Sequence, residues 1–364
     1  MLRILRPSIN WLFACIPLAV GLERFNAAPP ITFFAAALAI IPIARMIVHA
    51  TERLAVRTGD AVGGLLNATF GNAPELIIAL AALRAGYVDL VRASLIGAIL
   101  ANLLLTLGVS FLLGGIRFHD QRFNPLAART YSTMMLLAAA SMGVPSAFSR
   151  YFAPDGTIRP EQALNVGIAV VLLIAYGLYL LFSLKTHPGS FASVEAEAEQ
   201  GGHDAESSSL GRAVASLVVA SAGAAWMSEI LVGAAEGTGE ALGMSQTFVG
   251  IVLVAVVGGA AEAGSAIAMA RKNKLDLTIG IALGSSIQIA LFVAPVLVLA
   301  SYVIAPQPLE LSFTRAEVGS LFLGVLLGAM VCGDGQSNWY KGIQLITVYA
   351  IVALMFYFVP ELSS

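Results

Sequence analysis

Two glutamates carry the chemistry open to this sequence. Glu75 lies in "GNAPEL" (71–76) and Glu262 in "GGAAEA" (258–263), each inside a stretch otherwise apolar enough to cross a bilayer. A charged side chain at the centre of a membrane helix costs about 2.5–3.5 kcal/mol on insertion scales. The basic residues further along each stretch, Arg84 and Arg271, stand nine positions away, roughly 13 Å along a helix and out of pairing reach. Without a cation each glutamate is expected to hold a proton, and to bind a metal ion it must release that proton. Two such groups supply two negative charges, which match one divalent cation exchanged for at least two protons.

The neighbouring residues fit a hard cation. Pro74 has no N–H and crowds the carbonyl of Phe70 four residues back, so backbone oxygen at Phe70 and Gly71 is expected to leave the helix ladder. Gly258 and Gly259 loosen the second copy at the same level. The expected metal ligands are Glu75, Glu262, the Asn72 side chain and backbone at Phe70, Gly71 and Gly258. Asn102, Gln288 and Ser285, in the spans that follow, are further ligands or positioners of ligands, with Ser286 a weaker candidate. An all-oxygen set suits Ca²⁺ better than a softer metal, and Mg²⁺ is disfavoured because it gives up water reluctantly. A plainer alternative makes Pro74 and the glycines a kink with close helix packing, and the two amides interhelical hydrogen-bond partners.

These residues recur because the chain repeats itself. Shifted by 187 positions, Gly63 meets Gly250, Gly71 meets Gly258, Glu75 meets Glu262, Arg84 meets Arg271, Asp89 meets Asp276 and Gly97 meets Gly284. Gln288 falls on Ala101 in that register and reaches Asn102 with a one-residue slip. An odd number of crossings separates the two glutamate spans, so the copies are expected to lie in opposite orientations. Inverted repeats with an ion site near the midplane are a transporter signature.

The elements that must position them are membrane helices. The chain of 364 residues is 58% hydrophobic and 12% charged, against about 25% charged for a soluble domain. About eleven spans are expected, near 9–22, 30–50, 61–83, 93–115, 128–147, 163–184, 212–233, 247–270, 279–304, 316–333 and 343–359. The first is read as a retained span because Glu23 and Arg24 make poor flanks for a signal-peptide cleavage site. Of the 20 Lys and Arg, 14 fall on the N-terminal side of this arrangement, which places the N-terminus in the cytoplasm. A bacterial plasma membrane is the simplest setting, with a vacuolar one as the alternative.

A net charge of −2 offers no basic surface for nucleic acid. Cys15 and Cys332 lack metal or redox spacing and are read as packing residues. No cofactor is expected; the small-molecule partners are the transported Ca²⁺ and H⁺, the surroundings are lipid, and the oligomeric state is left open. The polar stretch "SVEAEAEQGGHDAESSS" (193–209) reads as a solvated tether, or alternatively as a weak cation sensor.

The blocks "GGLLNATFGNAPELI" (63–77), "KNKLDLTIGIALGSS" (272–286), "GSSIQIALFVAP" (284–295) and "DGQSNWYKGIQL" (334–345) resemble the Ca²⁺/H⁺ exchangers, or CAX group, of the cation/Ca²⁺ antiporter superfamily. The resemblance implies an all-α polytopic membrane protein with an extra N-terminal helix (1–28), a first five-helix repeat (29–189), an acidic cytoplasmic linker (190–209) and a second, inverted five-helix repeat (210–364). It also implies one essential glutamate per repeat, which maps onto Glu75 and Glu262. Three features depart from the pattern G-N-A-A-E-H and from an acidic final motif: Gly259 and Ala263 lack an amide and an imidazole, and Gln336 and Lys341 stand where acidic residues are usual. Fewer ligand oxygens imply weaker Ca²⁺ binding or another ion.

The expected activity is therefore secondary active Ca²⁺/H⁺ antiport by alternating access, not enzymatic catalysis. The alternative within transport is a Na⁺/H⁺ or K⁺/H⁺ antiporter. An intramembrane protease built on Asp334 is remote, because no predicted span interior supplies a second aspartate. A channel suits titratable glutamates in kinked helices less well than a gated carrier.

Overall fold

The computed structural model describes residues 9–58, 63, 66, 69–152, 158–187 and 210–359. The linker at 190–209 lies outside the described residues. The described residues are almost wholly helical. After a 3₁₀ turn at Ile9–Ala14 come α1 (Cys15–Arg24), α2 (Pro29–Thr58), α3 (Ala73–Arg84), α4 (Val88–Phe118), α5 (Pro125–Phe152) and α6 (Ile158–Leu181). Then follow α7 (Leu210–Leu242), α8 (Gln246–Gly258), α9 (Ala260–Ala270), α10 (Leu275–Ile304), α11 (Arg315–Cys332) and α12 (Trp339–Phe358). Strands β1 (Asp120–Arg122) and β2 (Gln336–Asn338) pair antiparallel, Gln121 opposite Ser337.

Among the described residues seven helices are long and apolar enough to cross a membrane, and α8 with α9 forms an eighth candidate bent by 58°. The eleven expected spans are thus reached only in part by length and apolarity. The expected span 61–83 does not run as one helix: a turn at Gly71 and Asn72 precedes α3, which keeps only 12 residues. The expected span 247–270 breaks in the same place, at Gly259.

Small residues set how closely the helices approach. The long helices α2 and α7 pack along each other. In α4, a Cβ on Gly97 would collide with the backbone of Ile251 in α8, and one on Gly250 would stand 2.6 Å from Ala93 Cβ. Neither position accepts a side chain, so α4 and α8 touch backbone to backbone on one side of the breaks. Among the described residues four π turns occur, at Ala101–Thr106 in α4, directly after α6 at Phe182–Thr186, at Val249–Val254 in α8 and at Ile289–Val293 in α10; such turns often mark functional positions.

Polar contacts tie the chain's connections at the two ends of the bundle. At one end the 305–313 segment is pinned by side chains: Leu309 N–H donates to Ser301 Oγ (2.8 Å), Leu311 N–H to Asn165 Oδ1 (2.9 Å) and Phe313 N–H to Ser146 Oγ (2.7 Å). The capping box of Thr314 and Glu317 then starts α11. At the other end Gln121, buried in β1, donates its Nε2–H to Ala270 O (3.0 Å) and Asn273 Oδ1 (2.8 Å). Lys341 Nζ, only 19% exposed, donates to Asp334 Oδ2 (2.6 Å), Gln336 O (2.8 Å) and Val331 O (3.1 Å). Gln336 and Lys341 therefore belong to this clasp of strands and turns.

Candidate cation site

Both glutamates sit at the same place in their helices. Glu75 is the third residue of α3, whose N-cap is Asn72 and whose second residue is Pro74. Glu262 is the third residue of α9, whose N-cap is Gly259. A first helical turn has N–H groups without intrahelical partners, so its field favours negative charge and offsets part of the cost of burying a carboxylate.

The broken helices bring the two copies together. A Cβ on Gly258 would lie 3.1 Å from Glu75 Cγ, and one on Gly259 would lie 3.8 Å from Glu75 Oε1 and 3.6 Å from Asn102 Oδ1. The Glu75 stem thus packs directly on the second break. Glu262 and Glu75 are close enough for their charges to interact, and the Ser285 hydroxyl hydrogen-bonds the Glu262 carboxylate. Asn72 Nδ2–H donates to Gln288 Oε1, across 216 residues of sequence.

What these groups leave unpaired defines the site. Asn72 is 2% exposed, Asn102 3% and Glu262 9%. Among the described residues, Asn72 Oδ1, Glu75 Oε1 and Oε2, Glu262 Oε2 and Asn102 Nδ2 are shut off from solvent and have no hydrogen-bond partner. A native interior rarely leaves one such atom unsatisfied without a reason. Four acceptor oxygens from two elements, with two formal negative charges, form a receptacle for a cation or for protons.

The expected residues divide by role. Glu75 and Asn102 both flank the break at Gly259, Glu262 neighbours Glu75, and Asn72 sits at the other break, with Gly258 as the surface on which Glu75 rests. Gln288 and Ser285 touch the cluster by holding Asn72 and Glu262. Phe70, still helical, and Gly71, in the turn just before α3, are both half-buried, and Pro74 supplies no N–H to the Phe70 carbonyl. Ser286 gives its hydroxyl to Ala282 O in its own helix (2.9 Å). Arg84 lies 3.6 Å from Glu229 on an exposed face, away from Glu75.

A cavity of about 200 Å³ adjoins the cluster, lined by Ala101, Asn102, Leu105, Thr106 and Val109 of α4 and by Ala255, Val256, Gly259, Ala263 and Ile267 of the α8–α9 pair. From Gly259 to Ile267 it descends roughly 12 Å along α9, toward the end where Arg117 Nη1–H donates to Arg271 O (3.1 Å). On the other side of the breaks, the Gly97 and Gly250 contacts join α4 to α8. The Gly259 and Ala263 lining is the feature that residue types alone understate, because the loss of two side chains reads as lost ligands and not as added space.

Comparison with known proteins points one way. The profile of the sodium/calcium exchanger protein family matches the chain twice, over residues 29–185 and 212–358. The Ca(2+)/H(+) antiporter of Aphanothece halophytica is 40% identical over 344 residues, covering 91% of this chain and 92% of that protein. The Ca(2+)/H(+) antiporter ChaA of Bacillus subtilis is 38% identical over 349 residues, covering 94% and 97%. The solved structure of native YfkE superposes with a TM-score of 0.83 at 36% identity, covering 97% of this chain and 100% of that one.

Proposed function

This chain belongs to the sodium/calcium exchanger protein family, and we propose that it exchanges Ca²⁺ for H⁺ with Glu75 and Glu262 as the shared seat of both ions. The observation that carries this reading is the set of four unpartnered oxygens on Asn72, Glu75 and Glu262. Buried carboxylate oxygens with no protein partner need either protons or a cation, and one site cannot hold both at once. Antiport follows when that site opens to one side at a time.

The double match of the family profile, with equivalent helix breaks at Asn72 and Gly259, supports two five-helix repeats of opposite orientation. These span 29–189 and 210–364, behind an extra helix at 1–28 and joined by the linker at 190–209. With α1, α5 and the two broken spans counted beside the seven, the total is eleven. The basic ends of α4 and α9 then face the cytoplasm, as does the N-terminus. The cavity runs toward that face while the α4–α8 backbone contact closes the other, which is the geometry of an inward-facing carrier. The bacterial relatives favour the plasma membrane.

Proteoliposomes with an imposed pH gradient test the reading. Added Ca²⁺ is expected to dissipate the gradient, with Na⁺ and K⁺ ineffective. Dissipation by Na⁺ or K⁺ and none by Ca²⁺ would move the chain to the monovalent cation/proton class.

A further inference from the structure

The two copies of the site are unequal at one position. Asn72 of the first copy is tied to Gln288 of α10. The residue equivalent to Asn72 at the repeat offset is Gly259, and the amide opposite it is Asn102 of α4. A Cβ at Gly259 would lie 3.6 Å from Asn102 Oδ1, so an asparagine there would meet Asn102 much as Asn72 meets Gln288. With glycine in place, Asn102 Nδ2 is left buried and unpartnered, and the space beside it belongs to the cavity of about 200 Å³.

Resting on the antiport reading, we propose that Gly259 sets cation selectivity. It leaves room for water beside Asn102, so the transported divalent cation keeps part of its hydration shell. The unpartnered oxygens of the glutamate cluster number four, whereas Ca²⁺ takes about 6–8. Some of the remainder must come from water or main chain; the cavity is lined mainly by apolar side chains, but it has room for water and the unpartnered Asn102 Nδ2 offers that water a hydrogen-bond donor beside the cluster. A site that keeps water on its cargo separates Ca²⁺ poorly from divalent cations of higher hydration energy. Mn²⁺ and Mg²⁺ both accept mixed carboxylate and water shells, so Mn²⁺ is expected to be exchanged alongside Ca²⁺.

The test compares Ca²⁺-driven and Mn²⁺-driven proton movement in proteoliposomes for wild type, Gly259→Asn and Gly259→Ala. The backbone at Gly259, φ −78° and ψ 3°, accepts either residue, and an alanine Cβ would meet its nearest neighbours only at 3.5 Å or more. Asparagine is expected to raise the Ca²⁺-over-Mn²⁺ preference and lower the Ca²⁺ half-saturation, each roughly tenfold. Alanine removes the water without supplying an oxygen. It is expected to suppress Mn²⁺ exchange more than Ca²⁺ exchange while leaving Ca²⁺ half-saturation no lower than in wild type. A Ca²⁺-over-Mn²⁺ preference that stays at the wild-type value in both variants overturns the inference and leaves antiport standing. A wild-type protein that moves no divalent cation against protons overturns both, so the two failures are separable.

Discussion

Asn72 Nδ2 is hydrogen-bonded to Gln288 Oε1, which joins the first helix break to the second repeat and leaves Asn72 Oδ1 a buried, unpartnered acceptor three residues before Glu75. An amide whose N–H is engaged by a fixed partner cannot rotate its oxygen away. Gln288 therefore acts as a positioning residue. Gln288→Leu is expected to raise the Ca²⁺ half-saturation about 10–100-fold, in the range seen when an outer partner of a metal ligand is lost, with little change in maximal rate. Gln288→Glu, which keeps an acceptor for Asn72, should recover much of that loss. An unchanged half-saturation in Gln288→Leu would show that Asn72 does not face the ion.

Gly258 is the floor under Glu75. A Cβ there would stand 3.1 Å from Glu75 Cγ, close enough for the flexible glutamate to shift a little. Gly258→Ala should therefore fold and retain partial exchange. Gly258→Leu pushes the carboxylate out of the cluster, and a displacement of about 1 Å suffices for a loss on the order of 100-fold in turnover. Normal rates in a folded Gly258→Leu protein would mean that Glu75 does not work from this position.

The clasp around Lys341 predicts an acid-side effect on stability. Burial alone would raise the Asp334 carboxyl, but the Lys341 ammonium, through its bond and its charge, together with backbone N–H groups outweighs it and holds the group below its ordinary 3.8. A depressed carboxyl contributes stability that is fully present above pH 3.8 and is lost as pH falls through its folded value. Wild-type protein in detergent is expected to lose thermal stability below that pH, and Asp334→Asn to lack this component of the fall. Lys341→Ala should cost about 1 kcal/mol at neutral pH, a modest figure because Asp334 is largely exposed. Parallel pH profiles for wild type and Asp334→Asn would remove the ion pair from the account.

The sequence made the glutamates legible because burying a carboxylate in a bilayer is expensive and repeating it is more so. Glu75, Glu262, Asn72 and Asn102 converge as that cost suggests, and the span expected at 93–115 is realised as Val88–Phe118. Other features have no sequence signal of comparable strength. Strands of three residues such as Asp120–Arg122 and Gln336–Asn338 are too short to show an alternating pattern. The π turns of α4, α8 and α10 look like ordinary apolar helix, since only backbone hydrogen bonding distinguishes them. Pro74 signalled a kink, but not that the helix starts afresh at Ala73. The pairing of Asn72 with Gln288 appears only when the two copies are seen face to face.

The most direct test of the central claim is a count of protons released on Ca²⁺ binding to purified wild-type, Glu75→Gln and Glu262→Gln proteins in weakly buffered detergent solution. Competition for both carboxylates predicts about two protons released per Ca²⁺ bound by the wild type, and neither variant exchanging Ca²⁺ for protons in vesicles. Stoichiometric Ca²⁺ binding without proton release, or wild-type release in either variant, would contradict it.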